Sequence, residues 1–253
     1  MSAKRVAIVT GGLTGIGLAS AVALQAAGVQ VAVGSRSGAN SQAARDVLGE
    51  ATLIDVLDVA NQSSIDAFCA KVQSSLGPVD ILVNAAGIYA EAPLDGHSDE
   101  AWHSQIDINL TGPFRMTRAL LPGMMARGWG RVVNIASTAA HIGAEGYAGY
   151  CASKAGLLGL TRVTALEGAP HGVTCVSISP TWIDTPMMDR ATERHAKSAG
   201  ITKADAKQAL ESSNPQGRLV QPQEISALVA FCCSDGSPAL TGEDIQVTAG
   251  AVW

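Results

Sequence analysis

Short runs of β-branched and aliphatic residues alternate along this chain with longer stretches whose apolar positions recur at helical spacing. Residues 6–10, 29–35, 52–55, 79–84, 131–137, 173–179 and 245–247 read as strands. Several are apolar almost throughout, as expected of parallel strands covered on both faces. Residues 16–27, 41–48, 63–76, 99–127, 149–167 and 221–233 read as helices. Strict alternation of strand and helix predicts an α/β fold: a doubly wound, mostly parallel seven-stranded sheet of Rossmann type, with right-handed crossovers and helices on both faces. Two places break the rhythm. The stretch 99–127 carries Gly112-Pro113, which predicts two helices or a bend. The stretch 184–216 is long, polar and poor in strand signal. It follows the carboxyl end of a strand, where ligands bind in such sheets, and is expected to cover the pocket with a helix or two. A single domain over 1–253 is expected, since no linker, repeat or low-complexity tract interrupts the pattern.

Composition narrows the function classes. Apolar residues make up 47% and charged residues 15% of 253, enough for a large core. The net charge of −5 and the lack of any Lys/Arg run argue against nucleic acid as a partner. No apolar stretch approaches the roughly 18 residues of a membrane span. Met1-Ser2-Ala3-Lys4-Arg5 runs directly into the first strand, so no signal peptide is expected and the location read is cytoplasmic. The five cysteines have no paired layout and read as reduced thiols. Cys232-Cys233 is expected on a helix with one of the two buried, and no metal is expected.

The first strand ends in Thr10-Gly11-Gly12-Leu13-Thr14-Gly15-Ile16-Gly17, directly before a helix. Glycines keep this turn tight and let backbone N–H groups approach a pyrophosphate, to which the helix N-terminus adds partial positive charge. A dinucleotide is the expected ligand. The second strand ends in Val33-Gly34-Ser35-Arg36-Ser37. No carboxylate stands there to take up ribose hydroxyls and repel a 2′-phosphate. Arg36 offers a planar fork, and Ser35 and Ser37 offer hydroxyls, which favours NADP over NAD. Asp58-Val59 is placed at the adenine edge, and Asn84-Ala85-Ala86-Gly87 where backbone meets the cofactor.

Tyr150 and Lys154 stand four apart in a helical stretch, so both side chains share one face. A phenol ionises at about 10, and a fixed ammonium lowers that value. The pair is a candidate proton-transfer device for a carbonyl or an alcohol. With the glycine turn, Asp58-Val59, Asn84-Ala85-Ala86-Gly87, Asn109, Ser137, Tyr150-x-x-x-Lys154 and Pro180, the chain resembles the short-chain dehydrogenase/reductase family over essentially its full length. The resemblance implies a catalytic set of Asn109, Ser137, Tyr150 and Lys154. Tyr150 would exchange a proton with the substrate oxygen as hydride moves to or from nicotinamide. Lys154 would depress the Tyr150 pKa and hold the ribose, Ser137 would bind the substrate oxygen, and Asn109 would fix a water in a proton path. Ile183 and Thr185 would meet the carboxamide and the phosphates. The chain departs from the family pattern at Ala85, Thr181 and Ala249, none of which removes a reacting group.

Thr138, His141, Tyr147, Trp182, Met187 and Met188, with the loop 88–93, are candidate pocket walls. Their apolar and aromatic character suits a ketone or secondary alcohol with a hydrophobic body, so a carbonyl reductase or alcohol dehydrogenase ranks first. The alternative is a 3-oxoacyl-thioester reductase. Relatives that dock acyl carrier protein use basic residues where Gly128 and His171 stand; Arg127 and Arg131 keep that reading alive, and coenzyme A thioesters fit it too. A non-catalytic NADP-binding regulator is the remote alternative, weighed down by retention of both Tyr150 and Lys154. The resemblance also implies a homotetramer or homodimer built on helices 99–127 and 149–167, with Ala251-Val252-Trp253 meeting a neighbour.

Overall fold

The alternation is realised as a seven-stranded sheet in a computed structural model that describes residues 4–251. The strands are β1 (Val6–Thr10), β2 (Gln30–Ser35), β3 (Leu53–Val56), β4 (Ile81–Asn84), β5 (Gly130–Ile135), β6 (Val173–Pro180) and β7 (Asp244–Val247). Their order is β3-β2-β1-β4-β5-β6-β7, and every neighbouring pair is parallel. The order reverses between β1 and β4, which opens a crevice at the carboxyl ends of these strands. β1, β4, β5 and β6 are buried along their whole length. Helices therefore cover both faces, and two large apolar clusters form. One holds Val9, Leu24, Val33 and Ile225; the other holds Ile8, Phe68, Leu82 and Met116.

The helices are α1 (Gly15–Ala26), α2 (Ser41–Leu48), α3 (Gln62–Leu76), α4 (Asp99–Ile106), α5 (Gly112–Arg127), α6 (Ala148–Gly168), α7 (Pro186–Ala199), α8 (Lys203–Ser213) and α9 (Pro222–Cys232). α4 and α5 are joined by a π-helical turn, Asp107–Thr111, instead of a break. Pro113 sits in the first turn of α5, where its missing N–H costs nothing. The widened turn holds Asn109 fully buried.

The polar stretch after β6 forms α7 and α8. Its two ends are tied together by a parallel bridge between Ile183 and Val220. Thr181 Oγ1 donates to Asn214 Oδ1 at 3.3 Å, fastening the end of α8 to the end of β6. Lys203 pairs with Asp189 and Glu193 at 2.6 and 2.7 Å, joining α8 to α7.

One expectation about the thiols is corrected. Cys232 and Cys233 are both buried, because the end of α9 packs into the sheet-facing cluster. Burial raises the thiols of Cys69 and Cys232 to about 11 and that of Cys175 to about 12. Cys151 alone is partly accessible. Iodoacetamide is expected to label Cys151 far ahead of the other four, read by peptide mass spectrometry; early labelling of Cys233 would contradict this packing. Among the described residues no helix is long and apolar enough to cross a membrane, and no group of three or more His, Cys, Asp or Glu could hold a metal ion. Val252 and Trp253 lie outside the described residues.

Candidate active site

The turn after β1 is stitched to its neighbours before any ligand is considered. Gly11 N donates to Gly34 O at 2.8 Å, and Thr10 Oγ1 accepts from Ala85 N and Ala86 N at 3.1 and 3.0 Å. Gly11 adopts a φ of 64°, which favours glycine. A Cβ on Gly17 would stand 2.3 Å from Gly11 O, so only glycine lets α1 start this close to the turn. Thr14, the residue before α1, makes no side-chain cap, which leaves the first-turn N–H groups of α1 available to an anion. A cleft of about 280 Å³ runs from this turn past Ser35, Arg36 and Ser37 to Asp58 and Val59, and along Ala85 and Gly87. An elongated ligand with phosphates at its middle fits this cradle.

The cleft leads into a second cavity of about 390 Å³ through Ile16, Ala85, Gly87, Thr185 and Met187, which line both. Ser137, Tyr150 and Lys154 stand in its wall. Ser137 follows β5 and caps a single 3-10 turn, Thr138–Ala140, its Oγ accepting from Ala139 N at 3.1 Å. Tyr150 and Lys154 lie in the first two turns of α6. Burial pushes the Tyr150 phenol above its ordinary value, and its hydrogen bond with Ser137 acts in the opposite sense. Burial lowers the Lys154 ammonium to about 8.

This differs from the expectation that Lys154 depresses the phenol directly. The ammonium donates to Ile135 O at 2.6 Å and stands 5.7 Å from the Tyr150 ring centroid. It is held by the end of β5 and not by the phenol. Asn109 stands behind the wall. Its Oδ1 accepts from Ile88 N at 2.9 Å, and its Nδ2 donates to Ile88 O at 2.9 Å and to Ser153 Oγ at 3.0 Å. Asn109 thus ties the loop after β4 to the helix that carries Tyr150 and Lys154.

The remaining sequence candidates divide cleanly. Gly11, Thr14, Gly15, Ile16, Gly17, Ser35, Arg36, Ser37, Asp58, Val59, Ala85, Gly87 and Thr185 line the cleft. Thr138, Tyr147, Pro180, Trp182, Ile183, Met187 and Met188 line the cavity. Three candidates lie elsewhere. The Leu13 side chain is in the core cluster, because the turn points it inward. Asn84 is buried and donates to Asn134 Oδ1 at 2.8 Å, bracing β4 against β5. His141 turns away to Asp244, 2.8 Å from Nε2 to Oδ2, while Asp244 Oδ1 accepts from Ser177 and Ser179 at 2.6 and 2.8 Å. His141 is thereby part of a clasp between the Ser137 turn, β6 and β7.

Tyr89, within the loop 88–93 expected at the pocket wall, does line the cavity, whereas Arg190 and Arg194 were not singled out from the sequence. The chain has three tyrosines, and all three line the cavity. The Tyr89 and Tyr147 rings stack with centroids 6.0 Å apart, and Tyr89 meets Tyr150 edge-on at 6.3 Å. Arg194 lies over Tyr89 at 4.8 Å and donates to its hydroxyl. Arg190 lines the cleft opposite the glycine turn. Spacing could have flagged Arg190 and Arg194, which stand four apart on one face of α7, but nothing local pointed them at Tyr89.

A family model described as "Enoyl-(Acyl carrier protein) reductase" matches residues 11–252. An acetoacetyl-CoA reductase of Rhizobium meliloti is 40% identical over 249 residues, covering 98% of this chain and 98% of that protein. A D-beta-hydroxybutyrate dehydrogenase of Cupriavidus necator is 37% identical over 253 residues, covering 98% and 95%. A crystal structure of a variant actinorhodin polyketide ketoreductase with NADPH superimposes with a TM-score of 0.94 at 36% identity, covering 98% of this chain and 97% of that one.

Proposed function

The chain belongs to the short-chain dehydrogenase/reductase family and is an oxidoreductase of CH–OH and ketone groups; from that premise we propose that it reduces the 3-oxo group of a coenzyme A thioester, with NADPH as the favoured cofactor. The observation that carries the thioester over an apolar ketone is the full-length similarity, at 40% identity, to an acetoacetyl-CoA reductase. Coenzyme A is favoured over acyl carrier protein by two arginines that serve the fold. Arg131 is buried and donates to Gly130 O and Ser234 O, and Arg127 is taken up by Asp80 and Val79 O. Neither presents a free cation to a carrier protein.

When bound, the reduced dinucleotide supplies the hydride that the carbonyl carbon receives. The protein does the rest. Ser137 donates to the substrate oxygen and stabilises the charge that develops on it. Tyr150 is proton donor to that oxygen. Its raised pKa keeps the phenol protonated at neutral pH, the state that reduction requires. Lys154, fixed by Ile135 O with its ammonium 5.7 Å from the Tyr150 ring centroid, would hold the nicotinamide ribose beside the phenol. The cavity walls are mostly apolar, and 184–216 acts as the cover over them. The exposed Phe114, Val163 and Leu166 on α5 and α6 support the two-fold assembly expected on these helices.

Comparing kcat/KM for acetoacetyl-CoA with that for a panel of apolar ketones tests the substrate reading. The thioester is expected to lead; a ketone ahead of it would restore the carbonyl-reductase reading. Arg36→Asp tests the cofactor. A guanidinium–phosphate hydrogen bond contributes about 1.5–3 kcal/mol, so the ratio of NADPH to NADH efficiency should fall roughly tenfold or more. An unchanged ratio would show that Arg36 is a surface residue without a role in selection.

A further inference from the structure

We propose that Arg190 and Arg194 of α7, with the Tyr89 hydroxyl, form a phosphate-binding subsite at the mouth of the carbonyl cavity that takes the phosphates of an acyl-coenzyme A. The proposal deepens the thioester reading and rests on it. Both arginines are exposed and lie one turn apart on the same helix. Arg190 borders the cleft beside Thr185, Pro186 and Met187, and Arg194 covers Tyr89 on the wall of the cavity. Burial raises the Tyr89 phenol, and the positive charges of Arg194 and Arg190 act in the opposite sense.

The carboxylates nearest in sequence are committed elsewhere. Asp189 and Glu193 hold Lys203, and Asp184 faces Lys207 at 3.8 Å. Among the described residues no carboxylate lies within 4.0 Å of Arg190 or Arg194. The acid beside Tyr147 is Glu91, which accepts from its hydroxyl at 3.3 Å. Two guanidinium forks against one engaged carboxylate leave the mouth positive. Their planar donors match phosphate oxygens two at a time.

Geometry sets what the anion belongs to. The Tyr89 ring lies 6.3 Å from that of Tyr150, and the Arg194 guanidinium lies a further 4.8 Å from the Tyr89 ring. Arg194 therefore packs on Tyr89, the neighbour of the reacting phenol. The carboxyl carbon of a free 3-oxo acid is only two bonds from the reacting carbon, whereas the phosphates of an acyl-coenzyme A lie at the far end of its pantetheine arm. That end is proposed to leave the cavity past Tyr89. Among the described residues the one hydrogen-bond partner of the Arg194 side chain is Tyr89, and that bond can be exchanged for a phosphate oxygen without exposing a buried group.

The test compares acetoacetyl-coenzyme A with acetoacetyl-N-acetylcysteamine, which has the same reacting end and no phosphate, in wild type, Arg194→Gln and Arg190→Gln/Arg194→Gln. The ratio of kcat/KM for the two thioesters should fall about tenfold in the double variant, the loss expected for one charge-assisted contact, and less in the single one. The wild-type ratio should also shrink as KCl is added. Calorimetric binding of coenzyme A itself, measured without turnover, should weaken by a similar factor. Equal ratios in wild type and double variant, with unchanged coenzyme A binding, would overturn the subsite. Weaker NADPH binding by fluorescence titration with an unchanged thioester ratio would assign the arginines to the dinucleotide's phosphates and overturn it too. If wild type reduces ketones but neither thioester, the proposed function fails; coenzyme A calorimetry on the same variants then still decides the subsite.

Discussion

Tyr150→Phe is expected to lower kcat by at least about a thousandfold while leaving dinucleotide affinity within about twofold of wild type. The phenol stands in the cavity wall, placed to give a proton to a carbonyl oxygen, and general acid–base catalysis by a positioned side chain contributes roughly 10²–10⁴ in rate. The ring itself does structural work by meeting Tyr89 edge-on, and phenylalanine preserves that contact. The substitution therefore separates proton transfer from packing. Steady-state kinetics with fluorescence titration of NADPH measures both quantities. Retained turnover would remove Tyr150 from the proposed chemistry, whereas loss of dinucleotide binding would show that the hydroxyl serves the cleft.

Lys154→Met is expected to abolish turnover and at the same time raise the melting temperature of the ligand-free protein at neutral pH. Burial lowers the Lys154 ammonium to about 8, so the folded protein holds this proton less tightly than the unfolded chain, whose lysine titrates at about 10.4. Between these two values the unfolded state binds more protons and stability rises with pH; below about 8 the whole penalty of the buried charge is present. Methionine removes that penalty and fills a similar volume, at the expense of the bond to Ile135 O. The gain should be several degrees at neutral pH and should shrink as pH rises toward the value of a free lysine. A destabilised Lys154→Met protein across this range would mean that the hydrogen bond outweighs desolvation. Such a trade is common where an active site holds an unfavourable group in place.

Much of this molecule was legible in the sequence because its central strands are buried on both faces. Each appears as a β-branched run, and the ends read from sequence differ from the structure by no more than two residues, as with 79–84 against Ile81–Asn84. The glycine turn was legible for a related reason: close approach at Gly17 admits no other residue, so the constraint is written in composition. Directions of side chains were not. Leu13 sits inside the turn motif yet points into the core, and His141, four residues beyond Ser137, is drawn off by Asp244 from the far end of the chain. Arg127 and Arg131 looked like docking charges until tertiary contacts with Asp80, Val79 and Ser234 accounted for them. The same limit hid Arg190 and Arg194. Their stretch was expected to cover the pocket, but nothing local marked these two side chains, and it is the fold that lays Arg194 over Tyr89.

The proposed reaction moves a hydride to the 3-oxo carbon of a thioester while Tyr150 delivers a proton to its oxygen. Incubating wild-type protein with acetoacetyl-coenzyme A and NADPH deuterated at the transferable position, then analysing the thioester by mass spectrometry, tests this most directly. The account predicts 3-hydroxybutyryl-coenzyme A carrying one deuterium at C3, formed in step with NADPH oxidation and absent with Tyr150→Phe. Recovery of unlabelled acetoacetyl-coenzyme A, under conditions where the protein reduces an apolar ketone, would contradict it.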